Sequence, residues 1–209
     1  MRTVFTALAI AVASVAAATP VMAQTAAPAA AIDAAAASKF IDRISGEAFA
    51  VLRDKSMSKI AARAKFRSML RENVALDEIG NRLIRRQRAT LTPAQYTAYQ
   101  AALPEFVLNA YADRLYDYQN ATFKMVRTLP RNAATVDVYS SVTQPSKRSF
   151  DAIWQVRQAA TGKYMINGLT VEGINLTLTQ EADFAAYIQK NGFDQLVEFM
   201  KSKNARGAV

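Results

Sequence analysis

The sequence contains neither cysteine nor histidine. Without cysteine the chain can form no disulfide bond and can carry no thiol nucleophile. Without histidine it lacks the usual general base, the Ser-His-Asp and Cys-His catalytic arrangements, and the commonest ligands of zinc. A phosphate-cradling glycine loop and a nucleophile elbow are also missing from the sequence. Together these absences make an enzyme the weaker interpretation.

One pair of acidic residues could still support hydrolytic chemistry. Asp113 and Asp117 lie four positions apart, on one face of a predicted helix, and two carboxylates can divide acid and base roles. A solvated helix surface is the better account of this pair, because such pairs are more often solvated and Arg114 lies beside this one. Glu181 and Asp183 fall in the first turn of another predicted helix, where the dipole favours acidic side chains. We therefore expect no catalytic residue, no cofactor and no metal.

Long apolar runs are absent except at the beginning of the chain. A single basic residue, Arg2, precedes an apolar run that ends in Val21-Met22-Ala23, the small or apolar side chains that a signal peptidase reads. We predict a cleavable signal peptide over residues 1–23, which leaves 209 − 23 = 186 residues for one domain. An exported protein without cysteine is expected in the bacterial periplasm.

The chain is basic, with 26 Lys and Arg against 17 Asp and Glu. The excess is concentrated between Lys39 and Arg88, where 13 basic residues face 6 acidic ones. This segment is either a solvated cationic surface or a docking surface for an acidic partner or an anionic lipid headgroup. Nucleic acid is not an expected partner in the periplasm.

Helical patterns dominate the first half of the mature chain. Residues 24–37 are rich in Ala and Pro and predict a flexible leader, although the alanines could also extend the first helix. The predicted helix starts are Ser38, Ser58, a site near Leu76, and the Thr92-Pro93-Ala94-Gln95 capping signal. The last of these helices is expected to run to about Tyr118 and to kink or split at Pro104.

Strand patterns dominate the second half. Four strands are predicted over Phe123–Leu129, Thr135–Thr143, Ser149–Gln158 and Tyr164–Val171, with turns at 130–132, 144–147 and 160–162. Short turns between consecutive strands favour an antiparallel meander with one packed face. After a Glu172-Gly173 turn, one helix capped by Thr179 ends at Gly192, and a second follows.

These patterns predict one α+β domain over residues 38–203, with a frayed tail over residues 204–209. Its antiparallel four-stranded sheet is covered by helices on one face.

Several short motifs, taken in order, carry a family resemblance. The strand and turn from Tyr164 to Leu176 contain Val171-Glu172-Gly173, and Phe184, Ile188, Gly192 and Leu196 follow at regular spacing. Upstream landmarks are Phe66-Arg67-x-Met69-Leu70, the run from Arg88 to Gln95, and Ala110-Tyr111-Ala112. On these residues the chain resembles the MlaC-type periplasmic phospholipid-binding proteins, also called the toluene-tolerance family. Tyr164 and Gly168 depart from that family's usual Trp and Asp, and one branch of the family is associated with hopanoid lipids.

The resemblance implies a nuclear-transport-factor-like fold with an apolar cavity for lipid acyl chains. It implies a monomeric carrier that moves phospholipid, or a hopanoid-type lipid, between an outer-membrane lipoprotein–porin complex and an inner-membrane ABC transporter with an MCE-domain protein. Such traffic would maintain outer-membrane lipid asymmetry. The alternative is a cargo-free periplasmic adaptor. Inward apolar residues expected to line the cavity are Phe66, Leu70, Leu83, Tyr99, Phe106, Tyr111, Trp154, Val156, Tyr164, Ile166, Val171 and Ile174.

Overall fold

The computed structural model of the protein describes residues 31–112, 118–145 and 148–207. The predicted signal peptide and the pair Asp113 and Asp117 lie outside these ranges. The elements in chain order are α1 (Ala34–Arg53), α2 (Lys59–Asn73), α3 (Leu76–Leu83), a 3-10 turn (Arg88–Thr90), α4 (Pro93–Ala112), β1 (Thr122–Asn132), β2 (Thr135–Thr143), β3 (Phe150–Gln158), β4 (Tyr164–Val171), β5 (Ile174–Asn175), α5 (Leu176–Asn191) and α6 (Phe193–Gly207).

The strands form one antiparallel sheet in the order β1-β2-β3-β4-β5. The predicted α+β class and the meander of the first four strands are therefore confirmed. The short β5 is a fifth strand that the sequence prediction missed, because two residues after the Glu172-Gly173 turn are too few to show a strand pattern. No helix among the described residues is both long enough and apolar enough to cross a membrane.

The first helix begins earlier than predicted. Its cap is Asp33, whose carboxylate accepts hydrogen bonds from the backbone N–H groups of Ala35 and Ala36. The prediction of Ser38 as the cap was therefore wrong, and residues 34–37 of the predicted leader belong to α1. Asp33 is a stronger start signal here because its carboxylate also meets the helix dipole. The chain before it is tied down too, since the Ile32 N–H donates to the Ala133 carbonyl at 2.8 Å.

Two other helix starts are as predicted. The Ser58 hydroxyl caps α2 by accepting from the Ala61 N–H. At α4 a reciprocal capping box forms, in which the Thr92 hydroxyl accepts from the Gln95 N–H and the Gln95 side chain accepts from the Thr92 N–H. Helix α4 continues through Pro104 without a break, so of the predicted kink or split, the split does not occur.

The start of α5 and the end of α6 differ from the prediction. Asn175, rather than Thr179, caps α5 by accepting from the Leu178 N–H, and the Thr179 hydroxyl instead donates to the Asn175 carbonyl. Gly192 ends α5 at φ +88°, as predicted. Helix α6 extends to Gly207, and the Asn204 amide donates to the Ala102 carbonyl at 2.9 Å. The described part of the predicted frayed tail is thus helical.

The turn between β1 and β2 also falls later than predicted. Pro130, Arg131 and Asn132 belong to β1, and the turn is Ala133-Ala134. Pro130 is tolerated because β1 is an edge strand, where a missing backbone N–H need not interrupt the ladder. Arg131 then lies where its guanidinium forms a bidentate pair with the Asp137 carboxylate, and this pair raises the pKa of Arg131.

Helices cover one face of the sheet and build two apolar clusters. Helix α1 packs across β1, β2 and β3 on the face that carries Val136, Val138 and Val156, all fully buried. Helices α3, α4, α5 and α6 form a second cluster around Tyr99 and Met200. Residues of both clusters, Ile166 of the first and Leu83 of the second, line the site described next.

Candidate functional site: an apolar cavity

A cavity of about 120 Å³ lies between the inner face of β3 and β4 and helices α2, α3, α4 and α5. Apart from the Thr177 hydroxyl and the Gln180 amide, the side chains that line it are apolar or aromatic. The lining residues are Leu70, Val74, Leu76, Ile79, Leu83, Phe106, Val107, Leu108, Ala110, Tyr111, Trp154, Ile166, Gly168, Leu169, Leu176, Thr177 and Gln180. Such a surface can hold hydrocarbon and offers few hydrogen-bond partners.

A β-bulge in β4 brings two of these residues to the same wall. Val156 pairs with Ile166 and Trp154 pairs with Leu169, while the register shifts between these pairs. Cross-strand partners share a face of the sheet, and Trp154 and Val156 are two residues apart on one face. Ile166 and Leu169 therefore both face the helices although they are three positions apart in the strand.

Trp154 and the connector between α2 and α3 are held in place by hydrogen bonds. The Trp154 indole N–H donates to the Ser140 hydroxyl at 2.9 Å, which in turn donates to the Ala152 carbonyl. The Ala75 N–H donates to the Ile166 carbonyl at 2.8 Å, so the connector joins the open edge of β4. The wall of the cavity is thus built on regular backbone pairing.

Six of the twelve predicted lining residues meet at this cavity. They are Leu70, Leu83, Phe106, Tyr111, Trp154 and Ile166. Tyr111 is 43% exposed, so the cavity approaches the surface at the end of α4. That these side chains contact a ligand stays a prediction.

The other six predicted residues lie elsewhere. Phe66 is buried in α2, Val156 packs under α1, and Val171 pairs with Ala152 on β3. Tyr99 belongs to the second cluster, where its hydroxyl donates to the Gly80 carbonyl and burial raises its pKa. Ile174 is 57% exposed, because the tight Glu172-Gly173 turn carries it out of the wall.

Tyr164 lies in a separate, shallow groove with Phe40, at a ring distance of 6.2 Å. Lys39, Arg43 and Lys163 surround that groove. At the second position where the chain departs from the resemblance, Gly168, an added Cβ would lie 2.5 Å from Gln155 Oε1. A side chain at position 168 would therefore displace Gln155.

The lining residues that the prediction missed fall into three groups. Leu76 and Ile79 share a helical face with Leu83, and this spacing could have placed them beside it. Leu169 could have been placed only with knowledge of the bulge. The remaining missed residues have wall positions that depend on how the helices pack on each other and on the sheet, and they are Val74, Val107, Leu108, Ala110, Gly168, Leu176, Thr177 and Gln180.

Charged groups lie around the cavity but outside its wall. On the outer side of α2 and α4, Arg67 and Arg71 both donate to the Glu105 carboxylate, and the Arg63 guanidinium donates to Asn109 Oδ1 at 3.3 Å. These contacts join the two helices along their length.

A second charged contact joins the end of α3 to α5. The Glu181 carboxylate is 5% exposed and accepts from Arg85 at 2.7 Å, with Arg86 Nε at 3.6 Å. The prediction that Glu181 lies in the first turn of its helix was wrong, because α5 begins at Leu176, and the side chain is buried. Within residues 31–112, 118–145 and 148–207, no group of three or more acidic side chains could hold a metal ion.

Comparison with known proteins identifies the family. The family model described as MlaC protein matches residues 42–202, that is 202 − 41 = 161 residues of the 209. The chain belongs to the MlaC family. Among solved structures, a phospholipid-binding protein from Ralstonia solanacearum, in complex with a phospholipid, superposes with a TM-score of 0.68. The two chains are 19% identical, and the match covers 83% of this chain and 99% of that one, so the MlaC fold is shared.

Proposed function

We propose that this MlaC-family protein is a lipid carrier that holds acyl chains in the cavity between β3–β4 and helices α2–α5. The apolar wall of that cavity is the observation that carries the proposal. A water-soluble carrier must enclose its cargo, because exposing two chains of ~15 methylenes each, at ~0.8 kcal/mol per methylene, costs about 24 kcal/mol. Family membership and the phospholipid bound to the Ralstonia solanacearum protein support the same role.

The size of the cavity adds a mechanical requirement. At about 120 Å³ its enclosed space is small beside two acyl chains of ~15 methylenes each. Carriage of two chains therefore requires the helices to move away from the sheet. The surfaces that separate must then be covered by cargo, since water would not replace the apolar contacts they lose.

The finer role we propose is shuttling across the periplasm. The protein would receive lipid at one membrane and deliver it at the other, between an outer-membrane lipoprotein–porin complex and an inner-membrane ABC transporter with an MCE-domain protein. Lipid is cargo in this role, and no bond is made or broken. The basic segment Lys39–Arg88 supports docking to acidic surfaces on such partners.

Native mass spectrometry of protein isolated from a bacterial periplasm tests the proposal. We expect a bound species whose mass corresponds to one lipid with two acyl chains, identified after extraction as phospholipid or a hopanoid-type lipid. Protein that appears only at its own mass, under conditions that keep a control carrier loaded, would instead favour the cargo-free adaptor.

A further inference from the structure

Two polar side chains interrupt the apolar wall of the cavity. Thr177 and Gln180 both line it, and because they are three positions apart on α5 they share one face of that helix. Thr177 is 6% exposed, whereas Gln180 is half-buried. We call these two residues the polar pair. The pair therefore joins a deeply buried position of the wall to one that solvent reaches.

The polar pair has hydrogen-bonding groups that the protein itself does not use. In the described part of the chain, neither the Thr177 hydroxyl nor the Gln180 amide has a hydrogen-bond partner. The Trp154 indole at the same wall, by contrast, donates to the Ser140 hydroxyl at 2.9 Å. A buried hydroxyl is normally paired, because leaving it without a partner costs free energy. An unpartnered hydroxyl in the wall of a cavity therefore points to a ligand that can form hydrogen bonds.

The cavity wall carries no charged side chain. Every lining residue within the ranges that the structure describes is apolar, aromatic or neutral and polar. An ionised phosphate or ammonium group placed there would lose its hydration and gain no partner of opposite charge, which is strongly unfavourable. The polar pair therefore suits a neutral group, and the charged headgroup of a lipid stays outside the wall.

The ester carbonyls of an acyl lipid are neutral groups that fit the polar pair. Each carbonyl lies where an acyl chain joins the lipid backbone, at the boundary between hydrocarbon and headgroup. A carbonyl oxygen only accepts hydrogen bonds, and the Thr177 hydroxyl and the Gln180 amide can both donate. Thr177 also lies in the first turn of α5, where the positive end of the helix dipole favours an acceptor oxygen.

We propose that the polar pair binds an ester carbonyl of the carried lipid and thereby sets how deeply the acyl chains enter the cavity. The inference rests on the proposed lipid-carrier function and specifies its cargo as an acyl ester. The acyl chains pack against the apolar part of the wall, which includes Leu70, Leu83 and Ile166. The headgroup lies on the solvent side of the polar pair.

A competition between ester and ether lipids tests the ester site. The mature protein is loaded from maltoside micelles that contain equal amounts of dioleoyl phosphatidylcholine and its di-ether analogue, and the bound lipids are counted by native mass spectrometry. The two lipids share headgroup and chain length, and only the first has carbonyl oxygens. A general loss of stability lowers the binding of both and leaves their ratio unchanged. Wild type should favour the ester.

Three variants of the polar pair should then change this ratio in a graded way. Thr177→Val removes the donor at nearly constant volume and should lower the ester-to-ether ratio by about fivefold, the contribution of one neutral hydrogen bond. Thr177→Ser keeps the hydroxyl and should keep the wild-type ratio. Gln180→Met keeps the length of the side chain and should lower the ratio by a smaller factor, since water competes at a half-buried position.

The matched control is Thr179→Val on the same helix. The Thr179 hydroxyl donates to the Asn175 carbonyl at 3.1 Å, and Thr179 does not line the cavity. This variant should keep the wild-type ratio. A change as large as that of Thr177→Val would show an effect of the helix rather than of the cavity, and the ester site would be wrong.

The ester site and the carrier function can fail separately. If wild type and Thr177→Val bind the two lipids in the same ratio, the protein still carries lipid but the ester site is wrong. If wild type binds neither lipid, the carrier function fails and the ester site fails with it.

Discussion

Replacing Ile166 by tryptophan separates a cavity wall from an ordinary packed core. Ile166 is 7% exposed and belongs to the cluster under α1, but it also lines the cavity. Its cross-strand partner Val156 is fully buried in the same cluster and does not line the cavity. The two positions thus share strand geometry, neighbours and burial, and differ in access to the 120 Å³ of open space.

The expected costs differ because only one variant has room for the larger ring. Val156→Trp overpacks the cluster under α1 and should lose about 1–3 kcal/mol. At about 2–4 °C per kcal/mol for a domain of this size, that lowers the melting temperature by about 2–12 °C. Ile166→Trp can place its ring in the open space of the cavity and should lose less than the ~1 kcal/mol at the lower end of that range.

The assay is the melting temperature of wild type and both variants, each measured with and without lipid. Wild type and Val156→Trp should gain stability on loading, by about 2.7 kcal/mol at a free lipid concentration one hundred times Kd. Ile166→Trp should gain none, because the ring occupies space that the acyl chains need. The reasoning is refuted if Ile166→Trp melts as low as Val156→Trp and still takes up lipid.

Two further predictions concern groups outside the cavity. Burial raises the pKa of Tyr99, so above about pH 10 the unfolded chain binds fewer protons than the folded one and stability falls with rising pH. Tyr99→Phe removes the hydrogen bond to the Gly80 carbonyl and should lower the free energy of unfolding by about 1 kcal/mol at neutral pH. Urea unfolding of the variant between pH 8 and 11 should also show a smaller loss of stability at alkaline pH than wild type. Replacing both Arg85 and Arg86 by alanine leaves the buried Glu181 carboxylate unpaired. The free energy of unfolding, measured by denaturant titration at pH 7, should fall by about 3 kcal/mol. Glu181→Leu leaves both arginines exposed to solvent and should cost less than about 1 kcal/mol. Equal losses for the two changes would contradict the view that the main cost is the unpaired buried carboxylate.

The order of helices and strands could be predicted from the sequence because each element carries its own local signal. The Thr92 capping box, the Ser58 cap and Gly192 are short-range chemistry, and all three act as predicted. Even the irregular spacing of Ile166 and Leu169 in the fourth strand is visible as a break in the alternation. The bulge that causes this break becomes visible only once β3 is placed beside it.

Element boundaries were harder to predict where two signals compete within a few residues. Asp33 caps α1 in place of Ser38, and Asn175 caps α5 in place of Thr179. The earlier residue of each pair fixes the turn that leads into the helix. Pro130 indicated a turn, although an edge strand accommodates it.

Six of the twelve residues predicted to line the cavity lie at its wall and the other six do not, and the reason is physical. Periodicity shows that a side chain faces inward, and both the packed clusters and the cavity lie inward. Tyr99 and Val156 are as buried as Leu83, but they meet packed side chains where Leu83 meets open space. The Glu105 contact between α2 and α4 joins residues 34 and 38 positions apart. No sequence spacing predicts a pairing of that range.

The long outer strand β1 has a consequence for how the protein behaves among its own copies. Its free edge carries Lys124 and Arg127, lacks one backbone donor at Pro130, and shifts register twice along its length. An edge with these features cannot accept the strand of a neighbouring molecule in continuous pairing. At its other end the sheet is covered by the connector residues Val74 and Ala75 and by β5. In the part of the chain that the structure describes, neither edge of the sheet therefore offers a continuous template for cross-β polymerisation, even when the apolar interior opens.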